Sequence, residues 1–418
     1  MFVWKEEHNS FLIELRETDD LKWDEITAKF NAQFNLTLTL NAVRKAYKRI
    51  QAGKNATTDQ LLVKKLKAEV TSKAKLSELG KINEVLTEEA LSQQEFLSSL
   101  LDISKKFPIK THKKTKVSKG GKISRSLVAH ISDTHIGCKI DGDEMGGINT
   151  YNEEVEARRF ALYFKTLANY KLPHRKETEL VMVLNGDIFA GIIHSSVGVA
   201  PMATQFARGL SIFTQGISFL SQHFKKIRVI CQTGNHDRYM HKEEKGRQYE
   251  QKWDSFGTNL FVALREGFRA YKNVEFDISS APYSIVNIQG YNVFITHGDT
   301  VVKIGNPGKT LNIESIRKQI NDLIAGLGTK IDVLMVGHVH KEVYMTLDNG
   351  VDLVINGTLS GTDGFALGAI GITSNHPCQQ LFEMTKEHKI GDMRFERLKK
   401  ADNDEALEKI VEPIRGKF

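Results

Sequence analysis

Cysteine is scarce in this chain and long apolar runs are missing, and each shortage removes a class of protein. The 418 residues include three cysteines, Cys138, Cys231 and Cys378, scattered and odd in number. That pattern excludes a disulfide framework and a thiolate zinc site, and a reducing cytoplasm is the expected compartment. No stretch approaches the roughly 20 apolar residues of a membrane-spanning helix. The opening MFVWKEEHNSFL carries charge where a signal peptide would be apolar, so no membrane partner is expected. Tandem repeats and sustained heptads are also absent, and with them a solenoid or a long coiled coil.

What is present is an uneven charge. At this length two domains, or a domain with an appendage, are expected. The formal net charge is +7, yet residues 1–126 hold 24 Lys+Arg against 16 Asp+Glu, leaving 34 against 35 in the remainder. The basic character belongs to the N-terminal third, an appendage attracted to polyanions on a core of balanced charge.

Residues 1–52 read as a three-helix unit. A first helix around SFLIELRE precedes Asp19 and Asp20 as candidate caps, then Trp23, Ile26, Phe30 and Phe34 at helical spacing. The third segment, TLNAVRKAYKRI, starts with Thr39 as N-cap and sets Leu40, Val43, Tyr47 and Ile50 on one face. Arg44, Lys45, Lys48 and Arg49 point elsewhere, the pattern of a recognition helix and the candidate nucleic-acid contacts. Trp4, Trp23 and the closing AVRKAYKR resemble helix-turn-helix domains of the Myb/SANT kind, which implies DNA as partner; the bland alternative is a basic bundle that binds protein. Residues 53–104 read as a helical arm, and the lysine-rich stretch 105–123, KKFPIKTHKKTKVSKGGKI, as a flexible basic linker.

From residue 124 to about 400 short apolar strands alternate with helices, and 401–418 reads as a C-terminal helix or tail. Five strands end in residues of ligand type. SLVAHISDTH delivers Asp133 and His135, ELVMVLNGD delivers Asp187, and KIRVICQTGNHD delivers Asn235, His236 and Asp237. YNVFITHGD delivers His297, and IDVLMVGHVH delivers His338 and His340. In open α/β sheets such residues converge outside the carboxyl ends of the strands. Gly186, Gly234, Gly298 and Gly337 suit turns where backbone passes close to a metal or phosphate. Each motif alone is common; the five in order, each after a strand, are specific.

Aspartate, asparagine and imidazole without cysteine suit Mn²⁺, Fe²⁺ or Zn²⁺. Two cations about 3.5–4 Å apart need a shared carboxylate, and such pairs serve phosphoester hydrolysis. The apparent phosphate loop KIGNPGKT fails, because Lys303 stands where its first glycine is required.

The ordered set DTH, GD, GNHD, THGD and GHVH resembles the calcineurin-like metallophosphoesterase superfamily. The resemblance implies an α/β fold of two facing mixed β-sheets flanked by helices, here joined to the N-terminal all-α three-helix domain. It implies two divalent ions, with Mn²⁺ expected. Asp133, His135 and His340 would hold one, Asn235, His297 and His338 the other, and Asp187 both. Alternation along an extended HVH would send the last two histidines to neighbouring ions. It further implies His236 as the group that meets the phosphoryl oxygens or protonates the leaving oxygen, with Asp237 beside it as a catalytic or loop-orienting residue.

ISDTHIG and GNHD are most similar to the nuclease subunit of the SbcCD type. The protein phosphatases carry an acid where GDIFAG has Ala190, and the nuclease branch a histidine; His194 in IIHSS is the candidate replacement as a substrate contact. The expected function is a metal-dependent phosphodiesterase cleaving DNA with help from the N-terminal module, in DNA repair or processing, with a bacteriophage or bacterial source. The alternatives are a small- or cyclic-nucleotide phosphoesterase whose N-terminal unit serves assembly, and a non-catalytic DNA-bound scaffold. No residue signature bears on homo-oligomers or an ATPase partner.

Overall fold

The computed structural model describes residues 4–17, 21–54, 122–171, 177–192, 198–239, 253–305, 311–364, 376–404 and 407. The expected helical arm, almost all of the basic linker and most of the C-terminal tail lie outside them, as do Asp19, Asp20 and His194. Two compact units emerge, one within residues 1–93 and one within 94–418.

The N-terminal unit contains helices α1 (Glu6–Glu17), α2 (Trp23–Phe34) and α3 (Leu40–Lys54). Helix α2 begins after Lys22, whose N–H donates to Glu25 Oε2 at 2.9 Å, so Glu25 answers an orphan donor of the first turn. Thr39 does precede α3, and its Oγ1 accepts from Ala42 N at 3.4 Å. Leu12, Leu15, Ile26, Phe30, Val43 and Ala46 form the core, with Trp4, Trp23, Phe34 and Tyr47 packed around it. Arg44, Lys45, Lys48 and Arg49 are all exposed. Arg44 lies over the Trp23 ring at 5.5 Å, a cation–π contact that restrains one of the four cations.

In the second unit, β1 (Arg125–Ile131), β2 (Thr178–Asn185), β3 (Ile227–Gln232) and β4 (Val274–Ile278) run parallel. With β10 (Cys378–Thr385), antiparallel to β1, and β11 (Met393–Arg397), antiparallel to β10, they form a sheet of order β11-β10-β1-β2-β3-β4. The second sheet, β5-β6-β7-β9-β8, comprises β5 (Ser284–Ile288), β6 (Tyr291–Ile295), β7 (Val333–Val336), β8 (Val343–Thr346) and β9 (Asp352–Ile355). Within it β6, β7 and β9 are parallel and the edge strands β5 and β8 antiparallel.

Side-chain alternation decides the layering. In β2, Val181 and Val183 face the other sheet, where they meet Val293, Ile295, Val333 and Met335. Leu180, Met182 and Leu184 face the opposite way, onto α4 (Glu153–Asn169), α5 (Met202–Ser221) and α6 (Phe256–Gly267). Leu334 and Val336 of β7 likewise face α7 (Ile313–Leu327) through Ile316 and Ile320. Strands buried on both faces read as unbroken apolar runs for this reason. The result is two mixed sheets face to face with helices outside, and no described helix is long and apolar enough to cross a membrane.

Phe30 is fully buried and sits 5.1–6.3 Å, ring to ring, from Trp4, His8, Phe11 and Phe34. Truncating such a ring leaves a cavity, so Phe30→Ala should destabilise the helical unit by about 3–5 kcal/mol. Urea unfolding of the full chain, followed by tryptophan fluorescence, should show an early transition; an unchanged profile would contradict this core assignment.

Candidate metal centre

The parallel strands deliver their polar residues to one edge. Asp133 follows β1, Asp187 follows β2, Asn235 and His236 follow β3, His297 follows β6, and His338 follows β7. The ligand-type atoms of Asp133, His135 and His340 lie within 4.8 Å of one another, and those of Asp187, His297 and His338 form a second such group. Neither group contains a cysteine. Cys138 and Cys231 sit nearby as apolar packing, and His130 is buried within β1.

Backbone conformation is unusual here. Of the non-glycine residues with left-handed φ among those described, Asp133 (51°), His135 (46°), Asp187 (49°), His338 (73°) and His340 (59°) all belong to these groups; Asn35 and Gln289 are the others. Such conformations are disfavoured for side chains with a Cβ and concentrate at functional sites. They also correct one expectation: GHVH is not extended. A γ-like contact, Val339 N to Gly337 O at 2.9 Å, and two left-handed histidines turn the chain. This turn, not strand alternation, parts His338 from His340.

Steric limits explain the glycines. A Cβ on Gly337 would stand 2.5 Å from Asp133 Oδ2 and 2.7 Å from Ser132 Oγ, and one on Gly186 would stand 2.6 Å from Gly234 N. Only glycine lets the ligand loops touch.

The carboxylates and rings are held by surrounding donors and acceptors. Asp133 accepts from Ser132 Oγ at 2.5 Å and from His338 N at 3.0 and 3.1 Å. Its carbonyl accepts from Thr358 Oγ1 (2.9 Å) and Leu359 N (3.0 Å). His297 donates Nδ1–H to the Asn185 carbonyl at 2.8 Å, which turns Nε2 toward Asp187 Oδ2, 3.0 Å away. Histidine ligands are usually fixed in this way, through the nitrogen that does not bind. His236 donates Nδ1–H to the Ala190 carbonyl at 2.8 Å, and its ring stands 4.7 Å from that of His135.

Asp237 is fully buried and differs from the others. Its Oδ1 accepts from Ile188 N and Phe189 N (3.0 and 3.2 Å), and its Oδ2 accepts from Gly234 N (2.8 Å). The carboxylate clasps the loops after β2 and β3. Burial, with Asp187 nearby, pushes its pKa up to about 6 against those amides. Ser132, Asn185 and Thr358 had no signal of their own in the sequence, although the first two stand immediately before ligand motifs, at buried strand ends where a polar residue is unexpected.

Electrostatics show what the groups lack. Burial works against charge on Asp187, yet His297, His236 and His135 hold its carboxyl well below the ordinary range. Burial likewise opposes a proton on His297, but Asp187 outweighs it and lifts the ring to about 10. His338 is driven down to about 4 by burial and by His297. His135 Nε2 and His340 Nε2 meet at 3.1 Å, with Asp133 Oδ1 3.4 Å from the latter. Asn235 Oδ1 is buried without a hydrogen-bond partner. Anionic oxygens, converging imidazole nitrogens and an orphaned amide oxygen fit divalent cations, since an unpaired buried group of this kind is costly. Asp133, His135 and His340 would hold one cation, and Asp187, His297 and His338, with Asn235 adjoining, a second.

Residues 126–357 match the family model of the calcineurin-like phosphoesterases. The chain belongs to the calcineurin-like phosphoesterase family. This member is a phosphoester hydrolase with candidate groups for a dinuclear divalent metal site. It is similar in structure to Vps29 complexed with zinc from Entamoeba histolytica, at 12% identity and TM-score 0.29 over 65% of this chain and 97% of that one. A putative 5′-nucleotidase from Staphylococcus aureus shares 10% identity at TM-score 0.32, over 70% and 58% of the two chains. The phosphopantetheinyl hydrolase of Mycobacterium tuberculosis shares 12% at 0.25, over 56% and 91%. No curated protein matches the chain. None of these likenesses bears on the substrate of this phosphoesterase.

Two outcomes follow from the geometry. Dialysis against a chelator should abolish diester turnover, and added Mn²⁺ should restore it; turnover that survives chelation would rule out a metal centre. Gly337→Ala should displace the Asp133 carboxylate and weaken Mn²⁺ binding by about tenfold or more, as disturbing the support of a ligand commonly does. Calorimetric titration reads this directly, and unchanged affinity would mean that Asp133 is not a ligand.

Proposed function

We propose that this phosphoesterase hydrolyses DNA as a metal-dependent phosphodiesterase, with the N-terminal unit as its DNA-binding module. The observation that carries the reading is the two ligand groups side by side with a fixed His236 at their rim, in a chain that bears a separate helical unit with four exposed cations on α3. Such cations contact phosphates and raise the local concentration of a polyanionic substrate. A Myb/SANT-like fold for the helical unit and a place near SbcD-type nucleases belong to the same proposal, as does a role in DNA processing or repair.

The seven residues expected as ligands keep those roles in this account, with Asp187 shared and Mn²⁺ the working metal. When bound, the ions supply Lewis-acid activation of water and a clamp for the phosphoryl oxygens. The chain's own residues do the rest. Because His236 keeps Nδ1–H on the Ala190 carbonyl, Nε2 is the ring nitrogen that meets the substrate in this account. From there an imidazolium Nε2–H gives its proton to the departing oxygen as the P–O bond breaks. Asp237 is a positioning residue, since its oxygens hold the loops that carry Asp187 and Asn235. The helix-borne cations act before chemistry, on capture.

The test compares DNA with a small chromogenic diester. Replacing Arg44, Lys45, Lys48 and Arg49 together by alanine should raise KM for DNA and lower its salt dependence by about one power of salt for each phosphate no longer neutralised. Turnover of the small diester should be unaltered. Equal DNA cleavage by the variant would remove the module from the account. Failure of the intact protein to cut any DNA, while hydrolysing nucleotides, would favour a small-nucleotide phosphoesterase with an N-terminal assembly unit.

A further inference from the structure

The Ala190–Gly191 turn has a second partner that the chemistry above leaves unused. The methyl group of Ala190 can make no hydrogen bond to His236. The backbone does so instead, through the Ala190 carbonyl. That oxygen and the Gly191 N–H belong to one planar peptide group. The Gly191 N–H donates to Gln205 Oε1 at 2.8 Å.

Gln205 lies in the first turn of α5 and is fully buried. Its Nε2 donates to the Ala200 carbonyl at 2.7 Å and to the Gly191 carbonyl at 3.4 Å. The Ala200 N–H in turn donates to Gly137 O (2.8 Å), and the Ala190 N–H to Ile136 O (3.0 Å). The amide is thereby oriented from both ends, so Oε1 must face Gly191. Gly191 itself has a φ of +72°, and a Cβ there would strike the His236 carbonyl. No side chain other than glycine fits between the peptide and His236.

We infer that Gln205 is a positioning residue for His236, acting through the Ala190–Gly191 peptide. A bond to the N–H fixes the plane of the peptide and polarises its carbonyl, so the acceptor that aims the imidazole is both placed and strengthened. The link replaces a side-chain partner by backbone, and its anchor is a helix in the core, not a loop. Any group that turns this peptide would turn His236 Nε2 away from the departing oxygen.

This inference rests on His236 as the proton donor, and the experiment separates the two claims. Turnover is measured for the metal-loaded full chain on two diesters, one with an aryl leaving group that departs unaided and one with an alkyl group that needs a proton. Gln205→Met keeps volume and removes both hydrogen-bonding ends. Gln205→Glu keeps an acceptor for Gly191. The Met variant should lose about tenfold on the alkyl diester and less than about threefold on the aryl one, the mark of an effect on proton transfer. The Glu variant should recover most of the alkyl loss. In a His236→Ala background Gln205→Met should cost nothing further, and the hydrogen-bonded Nδ1–H resonance of His236 should vanish in the Met variant. No loss on either diester, or a full loss persisting without His236, would overturn the inference, as would equal losses on both where His236→Ala slows the alkyl diester alone. If His236→Ala alone slowed both diesters equally, the proton-donor role would fail, while the non-additivity and the resonance would still decide the positioning role.

Discussion

Anionic oxygens and imidazole nitrogens crowded at one edge of two facing sheets are the constraint around which the second unit is organised. Asp187 and His297 lie 3.0 Å apart in full burial, and His135 and His340 present ring nitrogens to each other at 3.1 Å. Oxygen and nitrogen donors brought this close in burial are a donor set that a divalent cation can bind. The parallel strands supply the residues, and the apolar layer between the sheets holds those strands in register. The helices outside bury the other faces. Function therefore depends on packing far from the reaction, because a shift of either sheet would separate the two ligand groups.

The cost of convergence is visible in the backbone. Five candidate ligands adopt left-handed φ, and three glycines admit contacts that any Cβ would block. A network of buried amides and hydroxyls answers this strain. Ser132 and Thr358 hold Asp133, Asn185 fixes His297, Asp237 clasps two loops, and Gln205 holds the peptide behind His236. Rings aimed by such partners need little reorganisation when charge develops on a substrate, which is the physical sense of preorganisation.

Much of this is legible in the sequence, for a specific reason. Strands buried on both faces, such as LVMVL, are continuous apolar runs, and the polar residues that end them stand out; Asp133, Asp187, His297 and His338 are found by that contrast. Three helices with Phe30 and Val43 inward and Arg44 and Lys48 outward follow from period alone. The turn at His338–His340 reads as extended because two histidines separated by a valine match strand alternation; only the close approach to Asp133 requires left-handed backbone. Gln205 is invisible in the sequence, since a glutamine near a helix start is ordinary on a surface and its burial arises from loops distant along the chain. The start of α2 also falls two residues after the expected aspartate caps, at Lys22, whose own N–H donates to Glu25.

The measurement that bears most directly on the central claim is anomalous X-ray diffraction from crystals of the full chain grown with Mn²⁺. The account predicts two adjacent anomalous peaks, one ringed by Asp133, His135 and His340 and the other by Asn235, His297 and His338, with Asp187 reaching both. A single peak, or peaks away from these residues, would contradict it.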